Sequence, residues 1–432
     1  MNVLRRGLDR LVQVRPDEVR ALAWSFAYFF CLLAAYYVLR PLRDEMGIAG
    51  GVRNLHWLFS ATFVVMLAAV PLFGAVVARL PRRRFIPLVY HFFVANIVIF
   101  WILLVFDVSR VHVARVFFVW ISVFNLFAVS VFWSFMADVF ASEQGKRLFG
   151  FIAAGGSAGA LCGPALTVGL AGPLGAVNLL LVAVLLLEAA IFCAWRLESA
   201  APERTDREQR TSATQEPIGG GALAGFALLA RTPYLAGIAL WVFLLSLAGT
   251  FLYFQQANIV AAASDDPAVR TRIFASIDLA AGVLTVLVQV LLTGRVMKRF
   301  GVGTAAALLP FVFTVGFVAL ALHPVLSLVI ALQALQRTAN FAVSNPAREV
   351  LFTVLGREEK YKAKYVIDGV VFRGADAANG WLFNALRAAG LELAAIALTA
   401  VPICVLWIFV ARMLGLAHDR RAARAEEGTS PH

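Results

Sequence analysis

"FAVSVFWSFMADVFASEQGKR", residues 127–147, and "FAVSNPAREVLFTVLGREEKYK", residues 341–362, begin with the same four letters 214 positions apart. In both, an apolar stretch gives way to a short charged segment, "ASEQGKR" at 141–147 and "LGREEKYK" at 355–362. A third match holds nearly the same register, with "RLPRRRF" at 79–85 facing "RVMKRF" at 295–300 at an offset of 216. One four-letter coincidence means little. Three matches in register mark an internal duplication of the chain.

What is duplicated follows from composition. The 432 residues are 61% hydrophobic, with mean hydropathy +0.81, and 15% are charged, where a soluble domain carries roughly a quarter. Apolar runs of about 20 residues suffice to cross a bilayer as helices. Twelve such runs are predicted, near 22–39, 56–78, 85–106, 112–137, 148–171, 174–195, 234–260, 273–293, 302–322, 325–347, 363–386 and 391–411. The alternating ten-residue segments of a membrane β-barrel are not evident. The first run is too long for a signal-peptide core and reads as a retained span. Residues 196–221, "RLESAAPERTDREQRTSATQEPIGGG", are polar and separate six spans from six as a cytoplasmic linker. A repeat displaced by six spans, an even number, keeps its orientation, so the two halves are parallel copies. The expected domains are therefore 1–195, the linker 196–221, 222–413 and a cytoplasmic tail 414–432.

The formal charge of +12 follows topology. Most Lys and Arg fall at the termini, in the linker and in loops after even-numbered spans, the positive-inside pattern with both ends cytoplasmic. A nucleic-acid face is thereby disfavoured. Cys31, Cys162, Cys193 and Cys404 lie in apolar spans without the spacing of a zinc site. Neither a P-loop nor an HExxH or GxSxG motif is present, so no catalytic residue, metal or cofactor is expected. Arginine far exceeds lysine, of which there are five, and alanine is abundant. Such usage suggests GC-rich codons, hence a bacterial inner membrane.

Function has to be sought in the charges that interrupt the spans. In the tenth, Gln333, Arg337, Asn340, Ser344 and Arg348 are spaced four, three, four and four, an arc of roughly 80° on an ideal helix. An Arg facing lipid at mid-depth costs at least about 2.5–3.5 kcal/mol, so the stripe faces the bundle interior or water. Pro346 is expected to bend this helix. Two cations on one stripe need an anion, supplied by Asp278, Asp368 or Glu349 at rest and by a substrate when loaded. In the eleventh span, "YVIDGVVFRGADAANGWLF" at 365–383, Asp368, Arg373, Asp376 and Asn379 share one side, and Arg373 can neutralise Asp376 three positions on. Asp278, Gly282, Thr285 and Gln289 give the eighth span a milder stripe. Gly155, Gly159 and Gly163 recur every fourth position in the fifth, which reads as close helix packing. "AAYYVLRPLRD" at 34–44 closes the first span with Arg40, Arg43 and Asp44 beside Tyr36 and Tyr37, as interfacial anchors or as substrate contacts.

Three blocks resemble the bacterial and plastid ATP/ADP translocases, distant relatives of the major facilitators. They are "YYVLRPLRD" (36–44), "FWSFMADVFASEQGKRLFGFIAAGG" (132–156) and "NPAREVLFTVLGREEKYKAKYVIDGVVFR" (345–373). The resemblance implies an all-α membrane protein with twelve transmembrane helices in two pseudo-symmetric six-helix bundles, major-facilitator-like, with a cargo cavity between the halves. It also implies nucleotide exchange involving Arg43, Glu143, Arg348 and Lys362. Two departures stand out. Arg43 replaces a commoner lysine, and "GADAANG" (374–380) places Asp376 where that family has a Gly/Lys/Ser-rich run.

The resulting expectation is an antiporter that binds a small anionic solute, nucleotide first, at Arg40, Arg43, Asp44, Arg337, Asn340, Arg348, Arg373 and Asp376. Glu143, Lys146, Asp278, Glu349, Lys362 and Asp368 serve coupling or gating. The expected setting is a monomer in the bilayer, with no nucleic-acid partner and no enzyme activity. Two rival readings remain: a proton-coupled carrier of another solute using Asp368, Asp376, Asp278 or Glu143, and a non-transporting receptor or scaffold whose charges pair only with each other.

Overall fold

The computed structural model describes residues 15, 18–79, 82–140, 142–200, 228–229, 231–291 and 293–427. Side chains at 70, 72–79, 82–86, 142–143, 146, 293–298, 300, 357–358, 361, 365 and 425–427 lie outside that description. Among the described residues every regular element is helical. The order is α1 (Val19–Ala49), α2 (Leu55–Arg79), α3 (Arg82–Val105), α4 (Arg110–Val139), α5 (Ser142–Leu174), α6 (Leu179–Ala200), α7 (Pro233–Ala263), α8 (Pro267–Leu291), α9 (Thr293–Leu322), α10 (Leu326–Ala339), α11 (Asn345–Leu351), α12 (Arg357–Tyr365), α13 (Phe372–Ala388) and α14 (Leu393–Glu427). Among the described residues, eleven stretches are long and apolar enough to cross a membrane. The remaining expected span, 363–386, is helical as well, running from the end of Arg357–Tyr365 through a widened turn into Phe372–Ala388, and Asp368, Arg373 and Asp376 interrupt its apolar run. The 196–221 linker lies largely outside the described residues.

Contacts group the chain into two units, Met1–Gly50 with Val65–Pro217 and Asp266–Ser276, and Gly51–Val64 with Ile218–Asp265 and Ile277–His432. In the first, α1 is the central helix, lying against α4, α5 and α6. Small residues let it approach α5. A methyl built on Gly155 would stand 2.5 Å from the Phe26 carbonyl oxygen and one on Gly163 2.6 Å from that of Ala34, while one on Gly159 would overlap the Phe30 carbonyl oxygen. The four-residue glycine spacing is thus occupied by the backbone of a neighbouring helix. Buried aromatics fill the other side of α1, with Phe29 stacked on Phe132 at 4.1 Å. Tyr28 donates to Tyr90 at 2.8 Å, and Tyr90 donates to the Ala128 carbonyl at 3.0 Å. Both buried phenols therefore find acceptors, as a dry interior requires.

In the second unit α9 lies along α14, and α7 contacts α10, α13 and α14. Gly303 and Gly415 bring α9 and α14 together, a methyl on Gly303 standing 3.0 Å from the Gly415 Cα. Gly301, at φ 75°, supplies the left-handed turn that breaks α9 near its start. Trp241, Trp407, Phe313 and Phe317 are fully buried. On the outside of both units, apolar side chains such as Leu185 (69%), Val290 (77%) and Met413 (70%) are exposed. An apolar exterior over a packed interior suits lipid as the surrounding solvent.

Candidate functional site

The expected tenth and eleventh spans share one departure from ideal helix. Asn340–Ser344, between α10 and α11, and Val366–Val371, between α12 and α13, are π-helical. In the first, the cause is Pro346, which has no N–H to offer the Ala342 carbonyl and whose ring would crowd it, so the backbone widens just upstream. Such insertions occur frequently at functional sites. They also invalidate a uniform 100° projection, so the polar residues do not lie on one straight stripe.

The structure resolves the second unit's charges into three groups. Arg337, 8% exposed, is deepest. Its guanidinium is bound to Asp278 of α8, which is also buried. Beside it, Gln336 donates to Gln333 at 2.9 Å and Gln333 donates to Gln256 of α7. The second group surrounds α11. Arg348 lies 3.2 Å from Asp368 of the π turn and 3.9 Å from Glu349, which accepts from Lys364 at 2.6 Å. In the third, Arg373 of α13 stands 3.7 Å from Asp376 and 5.6 Å from the face of Phe372. Asp376 accepts a 2.7 Å hydrogen bond from Ser246 of α7, which in turn accepts from Asn379 at 3.3 Å.

Each of these arginines therefore faces a carboxylate, with unequal grip. Arg337 and Asp278 are shut away from solvent, whereas the Arg373 side chain is 39% exposed and its partner is already held by Ser246. Arg348 is intermediate: its side chain is 16% exposed and those of Asp368 and Glu349 are 33% and 48% exposed. The Arg373 pair is thus the most open to solvent and the Arg337 pair the least. The side-chain amide oxygen Oδ1 of Asn340 is buried without a hydrogen bond. Lys362 is half-buried on α12.

In the first unit, Arg43 lies 3.3 Å from the buried carboxylate of Asp44 and 4.0 Å over the Phe118 ring. Arg40 lies 5.6 Å over Tyr37. Glu143 and Lys146 fall on α5, but their side chains are outside the described residues. Two participants escaped the sequence reading, Ser246 and Gln256, each of which positions a residue on another helix. Polar letters inside the apolar run 234–260 were the available signal. Glu45, one residue past the motif at the end of α1, was also passed over.

The family model described as Major Facilitator Superfamily matches residues 21–359. Among solved structures, a point mutant of the nucleoside transporter NupG superposes with TM-score 0.64 at 12% identity, covering 94% of this chain and 99% of that one. A bacterial homologue of the human lysosomal transporter Spinster, inward-facing and unoccupied, gives 0.54 at 15% identity, covering 95% and 96%. A POT family transporter in complex with 5-aminolevulinic acid gives 0.60 at 13% identity, covering 93% and 96%. No curated protein matches the sequence.

Proposed function

The chain belongs to the Major Facilitator Superfamily and is a secondary membrane transporter of that type, and from this premise we propose that its cargo is a small organic anion, in the specific form of a nucleotide exchanged by alternating access. The observation that carries the reading is the graded neutralisation of Arg337, Arg348 and Arg373, with Arg373 the most loosely held. A guanidinium presents two parallel donors that fit a phosphate oxygen pair, and such contacts exceed neutral hydrogen bonds in strength. In the empty protein the carboxylates substitute for cargo; in the loaded one the anion replaces Asp376, then Asp368. Reorientation with exposed, uncompensated cations is costly in a membrane, which favours exchange over one-way release.

Support for a nucleotide comes from the resemblance of the 345–373 block to the ATP/ADP translocases, and NupG, of similar fold, is a nucleoside transporter. Arg40 and Arg43 are the candidate cations of the first unit; Asp44 keeps Arg43 neutralised. Glu143, Lys146, Glu349, Lys362 and Asp368 are assigned to coupling or gating. Residue usage supports a bacterial inner membrane location, the distribution of basic residues supports cytoplasmic ends, the repeat supports two six-helix halves at 1–195 and 222–413, and a working monomer is part of the same proposal.

The test is counterflow of labelled ATP against ADP in proteoliposomes. Arg373→Ala is expected to insert normally and to weaken nucleotide affinity at least about tenfold, since a hydrogen bond to a charged group contributes about 1.5–3 kcal/mol. Unchanged exchange kinetics in that variant would remove Arg373 from the site.

A further inference from the structure

Outside its three charge groups, the second unit gathers cations in another place, around a cavity and not against a carboxylate. The cavity, of about 290 Å³, lies where the turn Val52–Asn54 and the start of α2 meet the C-terminal ends of α7 and α13. Its polar lining is Arg53, His56, Asn258, Asn384 and Arg387, with no acidic residue. Phe254 and Phe383, each 3% exposed and edge to face at 5.1 Å, supply the apolar wall. Arg337, Arg348 and Arg373 do not line it.

The approach of these elements is set by particular residues. Gly380 of α13 has no side chain to hold α2 away, and a methyl there would stand 3.3 Å from the Phe254 ring and 3.4 Å from the His56 Cα. Trp381 donates from Nε1 to Ser60 of α2 at 3.0 Å, and its ring meets that of the buried His56 at 4.4 Å. Packing therefore fixes the wall, whereas the donors are largely unengaged. Arg387 gives one N–H to the Leu391 carbonyl at 3.1 Å, and Asn258 gives one to the Phe254 carbonyl at 2.7 Å. Among the described residues, Arg53 and Arg387 form no ion pair and the Asn384 side chain no hydrogen bond. Glu392, which shares the adjoining cavity with Arg387, is exposed and forms no ion pair either.

Two guanidiniums without a counter-charge attract an anion, and a dianion balances both. A phosphate monoester carries about −1.5 to −2 at neutral pH, and its oxygens accept from guanidinium and carboxamide N–H groups together. A single carboxylate would neutralise only one arginine. Small-molecule sites span about 300–1,000 Å³, so a cavity at the lower edge of that range suits a compact ester better than a whole nucleotide. We propose that this cavity binds the phosphate of a compact monoester, at a site separate from Arg337, Arg348 and Arg373 and independent of what they carry. The exposed Trp57 and Trp381 nearby are of the type that anchors at membrane interfaces. The ester is accordingly a dissolved solute or the headgroup of phosphatidic acid, which present the same group to the arginines.

The full-length protein in maltoside micelles, which bring no phosphate, is titrated with phenyl phosphate, and saturation transfer to the probe's ring protons reads binding without transport. The wild type is expected to bind. Arg53→Gln and Arg387→Gln are each expected to weaken Kd at least about tenfold, because each removes charged donors to the phosphate. Arg373→Ala is expected to bind as the wild type does, so the outcome does not depend on the proposed nucleotide exchange. Displacement of the probe by stoichiometric phosphatidic acid assigns the site to the lipid headgroup, and its absence assigns it to a dissolved ester. A wild type that does not bind the probe, binding that both glutamine variants retain, or binding abolished by Arg373→Ala overturns the proposal. Arg53 is exposed, so Arg53→Gln decides the matter should Arg387→Gln, which loses the Leu391 contact, fail to fold.

Discussion

Removal of Asp278 offers a quantitative test of how the deepest charge pair is used. Arg337 and Asp278 are both buried, and the guanidinium is bound to the carboxylate. Asp278→Leu leaves a cation shut in the interior, a change that costs about 3–5 kcal/mol. For a domain of this size that corresponds to a fall of roughly 6–20 °C in Tm. Arg337→Met alone takes the guanidinium away from the buried carboxylate and is expected to destabilise as well. The double variant Asp278→Leu with Arg337→Met strands neither, and a hydrophobic replacement of a buried pair is close to neutral or gains about 1–4 kcal/mol. Unfolding of the four proteins in mixed micelles closes a double-mutant cycle, with an expected coupling energy of at least about 3 kcal/mol. Additive single effects, or single losses below about 1 kcal/mol, would refute the reasoning. Nucleotide binding to the stable double variant then separates roles: if Arg348 and Arg373 form the cargo site, binding persists without Arg337.

Two further outcomes follow from the first unit. Gly159→Ala places a methyl against the Phe30 carbonyl oxygen and is expected to destabilise by about 1–3 kcal/mol, whereas Gly169→Ala, with open space around it, is expected to gain up to about 1 kcal/mol; thermal unfolding of the pair in detergent checks the opposite signs. At Glu18, burial pushes the carboxyl up, but hydrogen bonds from the Arg15 amide, Arg147 and Gln144 outweigh it and hold the group below the usual glutamate range. A carboxyl lowered by folding contributes stability that is complete above its unfolded value, about 4.3, and is lost as pH falls through the folded value. The stability gap between wild type and Glu18→Gln is therefore expected near neutral pH and should close under acid; a gap that stays constant from neutral to strongly acidic pH contradicts this assignment.

The fold was legible because bilayer crossing imposes a length and an apolarity that any sequence must display. The duplication was legible because three segments kept one register. Gly155, Gly159 and Gly163 were read as helix packing, and the structure places the α1 backbone against them. The π turns were not legible: Asn340 and Asp368 look like ordinary members of a 3.6-residue pattern, and only the strain beside Pro346 hints at one of them. Nor was the grip on each arginine, since Ser246 holds Asp376 from a helix 130 positions away and no local pattern announces that pairing. Glu45 escaped notice for the opposite reason. Beside Arg43 and Asp44 it resembles one more interfacial charge, and only burial sets it apart.

The widened turns at Asn340–Ser344 and Val366–Val371 give each of these two segments one residue of slack. An ordinary helical turn in either place would twist everything beyond it by about 100° per residue gained. Asn340, Arg348 and Asp368 sit within or just past that slack. Rewinding the first of these turns would thus re-aim the Arg348 guanidinium by rotating the short α11 segment beyond it.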